Sequence, residues 1–369
     1  MKVSVLQENL LKALASSVRV VGNKPQIPVL SHVLLRAGKR GLEVQATNLE
    51  MGWRGWVGAS VSEEGEITVP VKTLFELVGN LGAGKIELSA EGALLKILSS
   101  GVKAMVNGSV AEEFPILPSF EREEALFFKS EVFKQLIEKA VFASAADESR
   151  PVLTAVMVRI NGGKIELVGT DGFRLSQIVA SIESSAEVKD LLIPARSLSE
   201  LSRVIDESVT EIGMYVAGDT NQVIFKAGEV ELSTRLVSGN FPDYKKILPS
   251  DGEISAEMSK EDLLRAIKLA AVFARESANI VKVDLRDNQV LVSANAAQVG
   301  DNEVVVDAKV IGEVSMAFNY RYVLDYLNVV GGSSVRLMSN GALSAGLWLG
   351  EAVKGYEFKH VIMPVRVEE

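Results

Sequence analysis

Apolar positions along the chain follow two rhythms. Near the start, Leu6, Leu10, Leu14 and Val18 fall four apart, the spacing of one helix face. The rhythm returns at Phe133, Leu136, Ile137 and Ala140. It returns again at Leu263, Leu264, Ile267 and Ala271, where Ser259 precedes Lys260-Glu261-Asp262 in the manner of an N-cap. Between these helices lie shorter runs bounded by Gly, Asn and Ser, such as Val304-Val305-Val306 and Val335-Arg336-Leu337-Met338. Their alternation predicts strands.

The strand-like runs repeat. Leu42-Glu43-Val44-Gln45-Ala46-Thr47-Asn48, Ile165-Glu166-Leu167-Val168-Gly169-Thr170-Asp171 and Val290-Leu291-Val292-Ser293-Ala294-Asn295 each end in Asn or Asp. Asn48 to Asp171 is 123 residues, and Asp171 to Asn295 is 124. A second marker agrees. The segments starting Val69-Pro70-Val71-Lys72, Ile193-Pro194-Ala195-Arg196 and Phe318-Asn319-Tyr320-Arg321 lie 124 and 125 residues apart, measured from Pro70 to Pro194 to Asn319. The period is far longer than the ~20–50 residues of a solenoid unit. It is domain-sized, so the chain predicts three copies of one α+β fold, each opening with a helix and running helix, strands, helix, strands. Helices then pack on one face of antiparallel sheet. Polar, turn-rich stretches near 119–125 and 249–254 put the domains at 1–122, 123–250 and 251–369.

Composition narrows the class. Of 369 residues, 47% are apolar and 24% charged, a globular balance that excludes a disordered chain. Cysteine is absent, which excludes disulfides and thiolate chemistry and fits a reducing, cytoplasmic setting. The N-terminal stretch lacks a secretory h-region, and no run approaches the ~18 apolar residues of a membrane span. The Asn107-Gly108-Ser109 sequon is therefore an ordinary turn. The net charge of −9 argues against a phosphate binder, but local placement decides the site. Each second helix carries a base in its first turn: Lys72, Arg196 and Arg321. A cation there opposes the helix dipole, at about 0.3–1 kcal/mol each. Three at equivalent positions point to a phosphate partner. Lys12 and Arg19 share a face of the first helix, as do Arg265, Lys268 and Arg275 of the third copy. The competing reading of these faces is simple solvation.

Reactive chemistry is scarce. His32 and His360, the two histidines, lie far apart in strand-like contexts, away from any nucleophile-elbow motif. No spacing suggests a metal site, and no cofactor is implied. Carboxylates are plentiful, so a carboxylate hydrolase stays open, but no pair stands out. Gly79-Asn80-Leu81-Gly82-Ala83-Gly84-Lys85 fits the P-loop pattern, yet a helix precedes it, Ile86 follows the Lys, and a strand comes next. It reads as a helix end and turn. In Thr170-Asp171-Gly172-Phe173-Arg174-Leu175, Asp-Gly predicts a tight turn, after which Phe173 is either a core residue or an exposed, sticky edge.

With these residues in view, the chain resembles the bacterial DNA polymerase III beta subunit family, the beta sliding clamps. The resemblance runs over essentially the whole length. Its anchors are Ser149-Arg150-Pro151-Val152-Leu153-Thr154, the 170–175 turn, Gly239-Asn240-Phe241-Pro242-Asp243-Tyr244 and Val361-Ile362-Met363-Pro364-Val365-Arg366. Asn48-Leu49-Glu50-Met51 and Phe114-Pro115 fit as well. The resemblance implies a non-enzymatic processivity factor: a head-to-tail homodimer, six similar domains in a ring, helices lining the hole and sheets outside. Duplex DNA would be held topologically, so an acidic protein needs only weak, sequence-blind phosphate contacts. Lys12, Lys24, Lys72, Arg196 and Arg321 would supply them.

The family's groove takes short, largely apolar motifs from the DNA polymerase III alpha subunit, the clamp loader, other polymerases and repair proteins. Here it implies Leu153, Thr170, Gly172, Phe173, Arg174, Leu175, Pro242, Ile247, Val361 and Met363 in one part. The other part would use Arg150, Lys246, Asn319, Tyr322, Leu343, Pro364, Val365 and Arg366. Phe173 stands where many members carry His, and Lys24 where Arg is frequent. The ring joint would set Ala104 and Val106 against Val272 and Phe273, with Ala104 small for that role. A monomeric peptide-binding scaffold of the same fold is the alternative reading.

Overall fold

The computed structural model describes residues 1–22, 27–184, 186–218, 220–249 and 252–366. Lys24 lies outside the described residues. Six α-helices are present among them: α1 (Gln7–Val20), α2 (Val71–Gly79), α3 (Ser130–Val141), α4 (Ala195–Val204), α5 (Lys260–Ala274) and α6 (Tyr320–Val329), two to a copy. The expected three α+β copies follow, with one correction. No copy opens with a helix. A strand comes first each time, at Lys2–Leu6, Leu126–Lys129 and Ile254–Ser259, and runs straight into α1, α3 and α5. Such short alternations are masked by the stronger helical stripe beside them. Leu6 accordingly belongs to the strand and is 47% exposed. The buried face of α1 is Leu10, Ala13, Leu14, Ser17 and Val20, spaced by threes and fours.

The helix ends follow local chemistry. Ser259 Oγ accepts from the backbone N–H of Asp262 at 3.3 Å, as its position predicts. Asn319 Oδ1 accepts from the N–H of Arg321 at 3.0 Å, while α2 and α4 start directly after Pro70 and Pro194. Lys72, Arg196 and Arg321 are thus each the second residue of a helix. The Gly79–Lys85 stretch ends α2, bends at Gly84 (φ +134°) and enters the strand Lys85–Glu91, so it is a helix-to-strand turn.

Packing divides the chain through the middle copy rather than between copies. One unit contains Met1–Lys134 and Arg196–Leu236; the other contains Gln135–Ala195 and Val237–Glu369. The first holds a five-stranded antiparallel sheet ending at the strand Val102–Asn107, and an eight-stranded sheet. In the latter, Val230–Arg235 of the middle copy pairs antiparallel with Met51–Val57 of the first copy, Leu232 opposite Trp53. The second unit holds one twelve-stranded sheet. There Arg174–Ser181 pairs with Tyr356–Ile362 of the third copy, from Arg174 opposite Ile362 to Ala180 opposite Tyr356. Its core gathers Leu263 and Ile267 of α5, Tyr326 and Leu327 of α6, and Phe318, Leu337 and Trp348 from the sheet.

Candidate functional site

The 170–175 turn is built by its own side chains. Thr170 Oγ1 donates to the Arg174 carbonyl at 2.6 Å and accepts from the Gly172 N–H at 3.1 Å. Asp171 Oδ1 accepts from the N–H groups of Phe173 and Arg174 at 2.9 and 3.0 Å. Gly172 sits at φ +91°, a conformation that favours glycine. A Cβ there would lie 3.5 Å from the Arg150 guanidinium and 4.0 Å from Leu153, so the missing side chain keeps that space open. Phe173 is 61% exposed, which decides its reading as a sticky edge.

The turn also anchors the chain's last described segment. The Phe173 carbonyl accepts from the Met363 N–H at 2.9 Å, and the Ala317 carbonyl accepts from the Val365 N–H at 2.8 Å. Beneath lies a cluster that includes Met157, Leu175, Tyr244, Leu347 and Val361, with Val152, Phe241 and Leu248 packed against it. Through Phe241, Tyr244 and Leu248 the cluster fixes the segment carrying Pro242, Lys246 and Ile247; through Leu347 it fixes the strand just after Leu343. Ile247, Leu343 and Met363 are exposed, Leu153 is buried, and Pro364 and Val365 are half-buried. Arg150 and Arg366 are exposed. Lys246 pairs with Asp243 at 3.0 Å.

Arg174 ties the turn to α6. Its guanidinium meets Asp171 at 3.0 Å and Asp325 at 2.5 Å, and stacks 4.5 Å from the centre of the Tyr322 ring. Burial, and then the charge of Asp171, push the Tyr322 phenol up. Asp325 escapes a reading of the sequence, although it lies one helical turn beyond Tyr322, where a cation over that ring would meet it.

The basic positions are partly neutralised. Lys12 Nζ lies 2.7 Å from Asp206, which Lys12 first and Ser208 next hold down to about 2. Arg19 pairs at 2.6 Å with Glu200, a buried carboxylate that also meets Arg203. Arg196 donates to the Arg19 carbonyl at 2.9 Å. The cation that opposes the dipole of α4 thus satisfies a carbonyl at the C-terminal end of α1. Lys72 and Arg321 are exposed, Arg321 lying near the Tyr320 ring.

Of the residues expected at a joint, Ala104 and Val106 lie on a sheet edge, and Val272 and Phe273 lie on α5. Val102–Asn107 is the outermost strand of its sheet, with Ala104 half-buried and Val106 buried. In the other unit, the strand Gly300–Ile311 pairs along 300–307 with Gln289–Ala296 and along 308–311 with Ile254–Ser259. Its 300–307 stretch therefore has a strand on one side only among the described residues. Phe273 lies beside it, 3.7 Å from where a Cβ on Gly300 would stand; Val272 is exposed. This second edge was not apparent from the apolar pattern, which marked Val304-Val305-Val306 as strand but not as an edge.

One pairing looks catalytic and is not. Ser176 Oγ and His360 Nδ1 are 2.7 Å apart, but both residues are fully buried. His360 stacks on Tyr326 and lies beside Phe142, the ring centres 5.2 and 5.1 Å away. Burial first, and then the charge of Arg174, hold its pKa well below the ordinary histidine value. The folded state keeps this ring neutral while the unfolded chain takes up a proton near pH 6.5. Stability should therefore fall as pH drops from about 6.5 to 5, by up to ~1.4 kcal/mol per unit. His360→Gln should flatten that slope in urea unfolding; an unchanged slope would contradict the assignment. Among the described residues no acidic or histidine cluster could hold a metal, and no helix is long and apolar enough to cross a membrane.

Comparison with known proteins bears on the whole chain. Family models of the DNA polymerase III beta subunit match residues 1–118 (N-terminal domain), 128–243 (central domain) and 245–366 (C-terminal domain). A beta sliding clamp of Chlamydia muridarum is 30% identical over 369 residues, covering 99% of each chain. That of Bacillus subtilis is 26% identical over 380 residues, covering 99% of this chain and all of the relative. The crystal structure of the Bacillus subtilis DNA polymerase sliding clamp superposes with a TM-score of 0.92 at 25% identity, covering 100% of both chains. A Pseudomonas aeruginosa clamp bound to griselimycin gives 0.91 at 26% identity, again over 100% of both.

Proposed function

The chain belongs to the DNA polymerase III beta-subunit family and is a DNA sliding clamp, and from that premise we propose that two copies close head to tail around duplex DNA. It is a processivity factor and not an enzyme. The observation that carries this reading is the end-to-end match, since relatives and solved clamps are covered over their full length.

Closure is supported by the two strand edges. An unpaired edge presents free N–H and C=O groups, a template for another chain. Exposed Met105 on Val102–Asn107 and exposed Val305 on the 300–307 stretch leave both edges open to a partner strand. Ala104 and Val106 of one copy then meet Val272 and Phe273 of the next. In the ring, Lys12, Lys24, Lys72, Arg196 and Arg321 contact phosphates without reading sequence. The groove around Leu153, Leu175 and Val361, rimmed by Phe173, Ile247, Leu343 and Met363, takes short apolar motifs. Their bearers are the DNA polymerase III alpha subunit, the clamp loader, other polymerases and repair proteins, all in the cytoplasm. An apolar cleft with a few polar anchors suits such peptides.

Retention on DNA tests the ring. Loaded protein should stay on nicked circular DNA through a high-salt wash and leave once the circle is cut. Val272→Glu places an unpaired carboxylate in the joint, weakening the dimer at least ~100-fold. That variant should run at half the wild-type mass by light scattering and escape from circles. Wild-type release from circles and lines at equal rates would overturn the ring; an intact Val272→Glu dimer would move the joint elsewhere.

A further inference from the structure

Lys139, on the last turn of α3, is only 7% exposed. No hydrogen bond or ion pair reaches its ammonium among the described residues. It faces rings instead: Tyr356 at 5.3 Å and Phe358 at 6.0 Å. Burial pushes its pKa down; the neighbouring charge of Glu138 draws it back up, and Lys260 adds to the depression. Lys260 is itself engaged, donating to the Val330 carbonyl at the end of α6 at 2.6 Å.

The ammonium lines a cleft of about 280 Å³ whose walls include Val330, Leu349, Val353, Tyr356 and Phe358. Glu351 stands at its rim but is committed, accepting from the Ser333 N–H and hydroxyl and the Ser334 N–H at 3.0, 2.7 and 2.9 Å. Glu357 and Lys359 complete the charged lining. Apolar walls around one charged anchor are the usual composition of a small-molecule site. Glu138 draws the ammonium's pKa up without restoring it, so a ligand carboxylate that meets Lys139 in the cleft adds a charge-assisted contact.

We propose that this cleft binds a small carboxylate carrying an apolar body, its carboxylate on Lys139 and its body along Tyr356, Phe358 and Val330. Octanoate is a suitable probe, because its chain can run from Lys139 along the apolar walls of the cleft. A DNA phosphate satisfies the ammonium but leaves the apolar walls uncovered, so the cleft is not an extension of the DNA contacts.

Calorimetry on the full chain with octanoate and octanol tests this directly. Octanoate should bind saturably and at least ~10-fold more tightly than octanol, the worth of one charge-assisted contact. Lys139→Met should lower octanoate affinity by the same factor and leave octanol unchanged. Without ligand, its melting temperature should rise, because a buried charge has gone. Lys139→Arg keeps the charge and should keep octanoate binding within a few-fold, which guards against a folding defect in the Met variant. Octanoate binding no better than octanol, no binding at all, or undiminished octanoate affinity in a folded Lys139→Met protein would each overturn the site.

Discussion

Ending the chain after Ile362 should abolish binding of a polymerase-derived apolar peptide while leaving the dimer intact. The segment lost contains Met363, Pro364, Val365 and Arg366, held from both sides by the Phe173 and Ala317 carbonyls. In the proposed groove it is one wall, and Met363 is among the exposed apolar groups that a peptide would cover. The adjoining 170–175 turn keeps its internal hydrogen bonds without it. The floor residues Leu175 and Val361 stay in place because their strands remain paired. The loss is therefore confined to the groove, and a fall in affinity of at least ~100-fold is expected from removing a central, desolvated contact strip. Fluorescence anisotropy with a labelled peptide measures it. Unchanged affinity in the truncated protein would remove the groove assignment.

The second large effect is expected from Lys72→Glu, Arg196→Glu and Arg321→Glu combined. Three helix starts proposed to meet phosphate would then repel it. Dwell time on circular DNA at low salt should shorten at least ~10-fold, and the salt dependence should flatten by about 3 in log–log slope, near one per lost contact. Arg196 also donates to the Arg19 carbonyl, so its reversal loosens a helix end besides changing charge. The Lys72→Glu, Arg321→Glu double variant separates the two contributions, and should retain most of the effect. Lys12 is a poor choice for such a test, because Asp206 already offsets its charge. Dwell times equal to wild type at low salt would show that the DNA lies against other residues.

Much of this was legible in the residue pattern. The domain-length period, the helical stripes at Phe133–Ala140 and Leu263–Ala271, the cap at Ser259 and the Asp171-Gly172 turn are local, or repeat a local signal. What the pattern hid is what depends on partners distant in sequence. A stripe reports that a helix has a buried face, not what covers the other one. Asp206 and Glu200 lie some 180 residues or more from Lys12 and Arg19, so the basic face of α1 looked freer than it is. The Ser176–His360 contact spans 184 residues and carries no sequence signature at all. The 300–307 edge was hidden for a related reason: alternation reveals a strand's faces, whereas an edge is defined by the neighbour it lacks. Leu6 misled because a leucine four residues before Leu10 extends a stripe on paper, while the backbone there is still extended.

The strand pairings that join the copies also bear on how the chain is made. Leu232 meets Trp53 across 179 residues, and Arg174 meets Ile362 across 188. Pairings this distant are slow to form and are the last contacts available to a chain emerging from a ribosome. The first unit cannot complete its eight-stranded sheet until Arg235 has been synthesised. The strand Arg174–Ser181 must wait for nearly the whole protein before Tyr356–Ile362 covers its edge. During that interval the middle copy exposes bare sheet edges of its own, the kind of surface that draws chaperones and aggregation alike. The middle copy excised alone is therefore expected to be a poor stable fragment, with the edges at Arg174–Ser181 and Val230–Arg235 left unpaired.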